Sequence, residues 1–361
     1  MFLAIRELLH AKFRYILIGV IMVLIAMLIF IISGLAKGLS ADNASAIQNL
    51  PADYVLLEKD VENRITRSVF SAGKLDAIQE TNGVETAVPL SVNMTSASEK
   101  GSDQKIDVAL FMTDVESMLM PAVTSGQSLT ATGASELILD DSMKQEGVNL
   151  GDELKIGGFN QTFTVVGFTE QSRFSHTPVA YVSSDALGTT DGKISAVALQ
   201  VKDGNMDAVK NQLSGNYDIL TKDELLKGIP GYSQEQASLN MMIVFLFVIG
   251  TFVLAVFFYV LTLQKTDQFG VLKALGTKTS YLIRNVISQV VLLSVICIGI
   301  ALGLTYGAAA LFPNDLPFQL NIANMLQFST VLLVVTVIGS LLSLIQIVKI
   351  DPIRAIEGGA N

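Results

Sequence analysis

The side chains able to do covalent or metal chemistry are few in this chain and stand far apart. Its 361 residues include two histidines, His10 and His176, and one cysteine, Cys297. A single cysteine excludes an intrachain disulfide and any multi-cysteine zinc or iron–sulfur site. The imidazole of His176 suits a metal ligand, but a lone histidine in a loop is more often an ordinary loop residue.

Motifs of common enzymes and ATPases are also absent from the sequence. The chain contains no G-x-S-x-G, no H-E-x-x-H and no G-x-x-x-x-G-K-[ST]. Without the last of these it has no P-loop to hold the phosphates of ATP. We therefore expect no catalytic residues and no intrinsic cofactor, and if ATP drives the protein, a partner must bind and hydrolyse it.

The composition indicates a membrane protein. Half of the residues are hydrophobic, 16% are charged, and the mean hydropathy is +0.51, which is too apolar for a soluble chain of this length. The formal net charge is −9, and no basic run accompanies it, so nucleic-acid binding is excluded as a function class.

Four apolar stretches, in which Arg284 and Lys349 near the ends are the only charges, are each long enough to cross about 30 Å of hydrocarbon as a helix. The predicted transmembrane helices span residues 15–36, 241–263, 282–304 and 328–350. The first run is longer than the core of a signal peptide, so we interpret it as an uncleaved anchor. Residues 1–14 place Phe2, Ile5, Leu9 and Phe13 near one face, which is typical of an interfacial amphipathic helix.

Basic residues in the short loops predict the orientation of these helices. Lys and Arg precede the first span, lie within 264–281 and follow the last span, whereas the connector 305–327 has none. Both termini, the segment 264–281 and the tail 351–361 are therefore predicted to be cytoplasmic. The stretch 37–237 is then outside, and it carries 28 of the 33 acidic residues.

The stretch 37–237 reads as an α+β domain. Short apolar runs such as Tyr54–Leu57 and Ile106–Met112 predict strands, and 206–213 reads as a helix between two strands, which indicates a β-α-β unit. Two further strands, within 151–158 and 163–168, predict a small β subdomain inserted at about 125–185. The predicted fold class is a four-helix membrane protein with an α+β extracytoplasmic domain between helices 1 and 2.

This order of one span, a large outer domain and three further spans resembles the MacB-type (type VII) family of ABC transporter permeases, which includes FtsX-like members. Residues 263–277, LQKTDQFGVLKALGT, look like the coupling element of that family, and 349–356, KIDPIRAI, look like its C-terminal tail. The resemblance covers the whole chain in order. It implies a permease homodimer in the cell membrane, surrounded by lipid, with two copies of a cytoplasmic ABC ATPase subunit.

The resemblance assigns contact with the ATPase to the segment after the second span. The residues concerned are Phe269, Gly270, Leu272, Lys273, Leu275 and Gly276. The apolar members form a short stripe on an otherwise polar helix, which suits a groove on a partner protein.

A narrower resemblance, to the haem-exporting branch of the family, concerns residues 34–47, 228–236, 240–243 and 257–265. It implies haem as the transported substrate and a Gram-positive plasma membrane. Haem is a flat apolar ring whose iron accepts phenolate, thioether or imidazole ligands. Tyr232 is the candidate iron ligand and His176 a weaker one. The other candidate haem-binding residues are Met27, Phe30, Asn43, Met241, Met242 and Phe245.

Two other functions remain open for the same fold. One is export of another hydrophobic cargo, such as a peptide, an antibiotic or a lipoprotein. The other is a transmembrane signalling permease-like protein that moves no substrate. A membrane enzyme is disfavoured because the spans hold neither paired acids nor a histidine cluster.

Overall fold

The computed structural model describes residues 12–100, 104–130, 135–159, 161–184, 192–202, 204–313 and 316–349. The chain divides into two compact units. The helical unit comprises Met1–Gly38 and Ala237–Asn361, and the α+β unit comprises Leu39–Gln236. Most of the predicted amphipathic helix 1–14 and all of the predicted tail 351–361 lie outside the described residues.

Eight α-helices lie in the described part of the chain. They are α1 (Lys12–Gln48), α2 (Leu75–Gln79), α3 (Met206–Leu213), α4 (Lys222–Lys227), α5 (Tyr232–Leu263), α6 (Thr266–Ala274), α7 (Thr279–Ala309) and α8 (Ile322–Lys349). Among them α1, α5, α7 and α8 are long and apolar enough to cross a membrane. The four predicted spans coincide with these four helices, and both α1 and α5 extend beyond their spans into the α+β unit.

The helical unit packs around one apolar core to which all four long helices contribute. The fully enclosed side chains include Met22 and Phe30 of α1, Leu254 of α5 and Ala301 of α7. Many other large apolar side chains on the same helices are exposed, as expected of surfaces that face lipid or another membrane subunit. The glycines Gly299, Gly303 and Gly307 repeat every fourth residue along α7, a spacing typical of close helix contacts. No other segment among the described residues lies within 4 Å of a Cβ atom placed at any of them.

Two glycines of α1 carry a close contact with the segment between α7 and α8. A Cβ atom at Gly38 would lie 2.0 Å from the carbonyl oxygen of Pro317, and one at Gly34 would lie 2.5 Å from the ring of Phe318. The backbone N–H of Gln319 also donates to the carbonyl of Gly34 at 3.1 Å. The connector therefore lies directly against α1, at a distance that only glycine permits.

The α+β unit contains thirteen strands in its described residues. They are β1 (Tyr54–Glu58), β2 (Phe70–Ser71), β3 (Val84–Glu99), β4 (Ile106–Thr113), β5 (Ser125–Gly126), β6 (Glu136–Asp140), β7 (Glu153–Ile156), β8 (Thr162–Thr169), β9 (Arg173–Phe174), β10 (Thr177–Ser183), β11 (Lys193–Ile194), β12 (Ala196–Val201) and β13 (Tyr217–Leu220). Eleven of them form one sheet in the order β13-β1-β12-β3-β4-β10-β6-β8-β5, in which β7 pairs with β3 and β8, and β9 pairs with β10. The predicted β-α-β unit is β12-α3-β13. Its strands run parallel with β1 between them, antiparallel to both.

Six strands of this sheet close into a small barrel. The ring β3-β4-β10-β6-β8-β7 returns to β3 and leaves no free edge inside it. The predicted subdomain at about 125–185 supplies four of these strands, and β3 and β4 supply the other two. The sequence predicted strand β4 but placed it outside the subdomain. Strand β3 joins the two parts because it is 16 residues long: its first half pairs with β12 and its second half with β4.

Strand β4 is buried on both faces. Val108, Leu110 and Met112 fill the interior of the barrel, whereas Ala109 and Phe111 belong to the main core of the α+β unit. The strand therefore reads as a continuous apolar run instead of an alternating one.

The main core of the α+β unit also receives the end of α1 and the segment that leads into α5. Ala44 and Ile47 lie in the same cluster as Leu226 and Ile229, and Tyr232 packs against it. This burial places the start of α5 beside the end of α1, and the candidate site is built there.

Candidate functional site

A kink near the end of α1 creates the first part of the site. Ala44 has φ −149° and ψ 15°, which interrupts the helical hydrogen bonds around it. The turn between β9 and β10 replaces them: the N–H of Ser175 donates to the carbonyl of Asn43 at 2.6 Å, and the N–H of Arg173 donates to Ser45 Oγ at 3.0 Å. One backbone bond and one bond to the Ser45 side chain therefore hold β9 and the turn on α1.

A cluster of charged side chains surrounds this turn. Asp42 Oδ1 lies 2.7 Å from Arg173 Nε and Asp42 Oδ2 lies 2.6 Å from His176 Nδ1. The Nε–H of Arg173 does not point at the carboxylate, so that contact is ionic. The other ring nitrogen of His176 lies 3.7 Å from Glu235 Oε2. Two acids and two bases thus meet where α1, the turn and α5 converge.

Asn43 and Glu235 form a second contact between α1 and α5. Asn43 Nδ2 donates to Glu235 Oε2 at 3.0 Å. Asn43 is 1% exposed, and its Oδ1 atom has no hydrogen-bond partner among the described residues. A buried acceptor without a partner is costly, so Asn43 keeps an unused polar group inside the site.

Tyr232 begins α5 immediately after Gly231, whose φ of +81° starts the turn into the helix. The ring of Tyr232 is partly buried against the main core. Its hydroxyl lies 3.0 Å from Ser40 Oγ, and Gln48 Nε2 lies 2.9 Å from Ser40 Oγ and 3.5 Å from the Tyr232 oxygen. Polar groups of α1 therefore hold the hydroxyl of Tyr232, and its ring packs against apolar side chains of the main core.

The remaining predicted haem-binding residues belong to the helical unit. Met241, Met242 and Phe245 are 56%, 44% and 58% exposed on α5. Met27 is partly buried against the helical core, and Phe30 is fully enclosed within it. The predicted set is thus divided between the two units, with Tyr232, Asn43 and His176 in the α+β unit.

The predicted coupling segment folds as α6 and the turn after it, but its apolar stripe is not wholly exposed. Phe269 is 3% exposed and packs with Leu282 and Val286 of α7, and Leu272 packs against the same cluster. Val271 and Leu275 are instead 48% and 78% exposed. Phe269 was expected to face a partner, but the structure buries it because α6 folds back onto α7.

A glycine turn ends α6. Gly276 has φ +92°, the Thr277 N–H donates to the Leu272 carbonyl at 3.0 Å, and the Gly276 N–H donates to the Lys273 carbonyl at 2.9 Å. This is the Schellman arrangement, which needs a left-handed residue after the helix. Gly276 therefore acts by stopping α6 and leaving Leu275 at an exposed end.

Sequence reasoning missed Asp42, Arg173 and Glu235. Asp42 stands next to Asn43 in a segment that the sequence marked, and Glu235 lies three residues after Tyr232 on the same helical face. Those spacings were a usable signal. No sequence signal pointed to Arg173, because only the pairing of β9 with β10 brings it to α1.

Family models match both parts of the chain. The MacB-like periplasmic core domain matches residues 16–215, and the FtsX-like permease C-terminal region matches residues 240–352.

Curated relatives match the chain over its full length. It is 30% identical over 361 residues to a putative hemin transport system permease protein HrtB of Staphylococcus haemolyticus, and 29% identical over 358 residues to one of Staphylococcus epidermidis. Each alignment covers 99% of both chains. Among solved structures, the extracellular domain of the noncanonic ABC-type transporter YknZ from Gram-positive bacteria is 18% identical. That match has a TM-score of 0.36 and covers 46% of this chain and 98% of the other.

Proposed function

This chain belongs to the MacB and FtsX family of ABC transporter permeases, and on that premise we propose that it is the membrane subunit of an ATP-driven haem exporter. The observation that carries the proposal is the full-length similarity to staphylococcal proteins named as hemin transport permeases. In this proposal the chain takes haem from the membrane and releases it outward, which protects the cell from haem toxicity.

The chemistry of Tyr232 supports haem as the cargo. A phenolate is an established protein ligand for haem iron. The Tyr232 oxygen lies within hydrogen-bond reach of Ser40 and Gln48, which orient the phenol. Met241, Met242 and Phe245 are exposed apolar side chains on the same helix, of types that pack well against a porphyrin ring.

A cavity in the α+β unit is a rival location for haem. It has a volume of about 330 Å³, and its lining includes Met118, Met120 and Tyr181. Burial raises the pKa of Tyr181 to about 12, and its hydroxyl lies 2.6 Å from Ser172 Oγ. Tyr181 is 6% exposed, whereas Tyr232 is only partly buried, so Tyr232 is the more accessible phenol and we place haem there.

The proposed assembly is a homodimer with two cytoplasmic ATPase subunits, and both termini of the chain are cytoplasmic. The exposed apolar residues Val271 and Leu275 on α6 support a docking site for the ATPase. Orientation is tested with cysteines introduced at Ser98 and Thr277 in a Cys297→Ala background. In intact cells an impermeant thiol reagent should label position 98 and spare position 277, and the opposite pattern would contradict the proposed topology.

Transport is tested in bacteria that express the chain together with its ATPase. Haem-loaded cells should lose haem faster than cells in which the ATPase carries an inactive P-loop. A cell-associated haem content that does not depend on the permease would contradict haem export. It would leave export of another hydrophobic cargo, or signalling, as the function.

A further inference from the structure

Lys265 is a charged residue enclosed among the helices of the helical unit. It is 8% exposed and lies two positions after Leu263, where α5 ends. Burying an ammonium group at the end of an apolar helix is costly unless polar groups surround it. Such residues are therefore retained for a reason other than simple packing.

Tyr15 of α1 and Gln289 of α7 surround the ammonium group. Lys265 Nζ donates to Tyr15 Oη at 2.7 Å and to Gln289 Oε1 at 3.3 Å, and the Tyr15 hydroxyl donates to Gln289 Oε1 at 2.9 Å. The ammonium also lies 5.3 Å from the centroid of the Tyr15 ring, within range of a cation–π interaction. These contacts form a closed triangle that joins α1 and α7 to the α5–α6 junction.

The backbone of Lys265 starts α6. Lys265 is the N-cap residue of that helix, with φ −106° and ψ 5°, and its carbonyl accepts the N–H of Phe269 at 2.9 Å. Gln264 and Lys265 alone separate α5 from α6. Because one residue holds α6 through its backbone and α1 through its side chain, a rotation of α6 must either break the triangle or move Tyr15.

The helix that carries Tyr15 is the one that enters the α+β unit. From Lys12 to Asn43, α1 has no residue of non-helical conformation, and the kink comes at Ala44. A displacement of Tyr15 is therefore expected to move this continuous part of α1 as one rigid element.

We infer that Lys265 is a positioning residue that transmits movement of the ATPase-docking helix α6 to α1. The inference rests on the proposed ATP-driven function, but not on haem as the cargo. Lys265 itself lies outside the exposed docking surface around Val271 and Leu275, so binding of the ATPase and transmission of its movement are separable.

The test uses the full permease with its ATPase in lipid vesicles and a nitroxide label at position 28, in a Cys297→Ala background. Leu28 is 45% exposed on α1, so a label there is tolerated. The measurement is the change in the label's spectrum on trapping with ATP and vanadate. Lys265→Met, which keeps the apolar stem and removes the charge, should reduce this change at least about fivefold while the ATPase still co-purifies.

Two further variants make the result specific. Tyr15→Phe keeps the ring and removes only the hydroxyl, so it should reduce the change in the same direction without endangering the fold. The double variant should be no worse than Lys265→Met alone, because both substitutions break one triangle. Lys278→Met removes an exposed lysine at the N-cap of α7 and should leave the change at the parent value.

A full ATP-dependent change in Lys265→Met and in Tyr15→Phe would overturn the inference, as would strictly additive losses in the double variant. If the parent complex itself shows no ATP-dependent change at position 28, the ATP-driven function fails, and the inference fails with it.

Discussion

His176 and Asp42 are joined by a contact of 2.6 Å between Nδ1 and Oδ2. They lie 134 positions apart in the chain, and the contact fixes the β9–β10 turn on the end of α1. Both Ser175 and His176 have positive φ angles, of 52° and 62°. Residues other than glycine hold such angles only where their surroundings enforce them. The contacts of Arg173 and His176 with Asp42 and the hydrogen bonds at the kink enforce these angles.

The first prediction concerns this contact. Asp42→Asn removes the charge that faces Arg173 and His176, so the free energy of unfolding should fall by about 1–2 kcal/mol. Hydrogen exchange of the N–H groups at 173–176 should also become faster. Glu62→Gln is the matched control, since Glu62 pairs with Arg67 at 2.7 Å on the exposed surface and should change neither quantity. Unchanged exchange in the Asp42 variant would show that the backbone bonds alone hold the turn.

The second prediction concerns the cap of α4, which precedes Tyr232. Thr221 and Glu224 form a capping box, and hydrogen bonds from the backbone and hydroxyl of Thr221 lower the pKa of Glu224 below its ordinary value of 4.5. Because the folded state has the lower pKa, the carboxylate contributes stability above pH 4.5 that is lost as the pH falls through the folded pKa.

Thr221→Ala should therefore cost about 1 kcal/mol at neutral pH. The difference in thermal midpoint between parent and variant should shrink as the pH falls below 4.5. A difference that grows in acid would contradict the assignment of the shift to this cap.

The sequence predicts the regular parts of this molecule well, for identifiable reasons. The four long helices follow from runs of apolar residues that no soluble domain would expose. Helix α3 begins and ends at the predicted residues, 206–213, because turn residues bound an amphipathic pattern.

The features that could not be predicted depend on contacts between distant segments. Nothing local indicates that Arg173 faces Asp42, or that β3 would pass from one sheet into a barrel. Phe269 shows the same limit: its position on a helical stripe predicted an exposed contact, but the fold-back of α6 onto α7 buries it. Periodicity gives the face of a helix, and only the fold decides what covers that face.

The third prediction tests the close approach of the α7–α8 connector to α1. Gly38→Ala would place a Cβ atom 2.0 Å from the Pro317 carbonyl oxygen, so the connector must move away. The thermal midpoint in detergent should fall, by an amount that corresponds to about 1–3 kcal/mol. Gly299→Ala is the control, because nothing lies within 4 Å of its Cβ position. Equal stability of both variants would contradict the described contact.

The fourth prediction concerns docking of the ATPase. Leu275 is 78% exposed at the end of α6, and Leu275→Asp should abolish co-purification of the ATPase because a charge would enter an apolar groove. Leu275→Met should retain binding. Phe269→Asp should instead lower the stability of the permease itself, since Phe269 is buried against α7. An ATPase that binds the Leu275→Asp variant at parent levels would exclude this surface.

The last prediction concerns Met241 and Met242, which are exposed on α5 close after Tyr232. A thioether that ligates iron shifts the haem spectrum when it is removed, whereas one that only packs against the ring lowers affinity and leaves the spectrum unchanged. Met241→Ala and Met242→Ala should therefore weaken haem binding, and only a true ligand should move the absorbance maximum. Met118→Ala, in the cavity of the α+β unit, should alter neither property.

The most direct test of haem export through a site at Tyr232 is the absorption spectrum of the purified full-length chain, titrated with haem. We predict saturable binding with the spectrum of a phenolate-ligated iron. Tyr232→Phe, which keeps the ring and removes only the oxygen, should lose that spectrum while the protein stays folded. A parent protein that leaves the spectrum of added haem unchanged, or a Tyr232→Phe variant that retains the parent spectrum, would contradict this account.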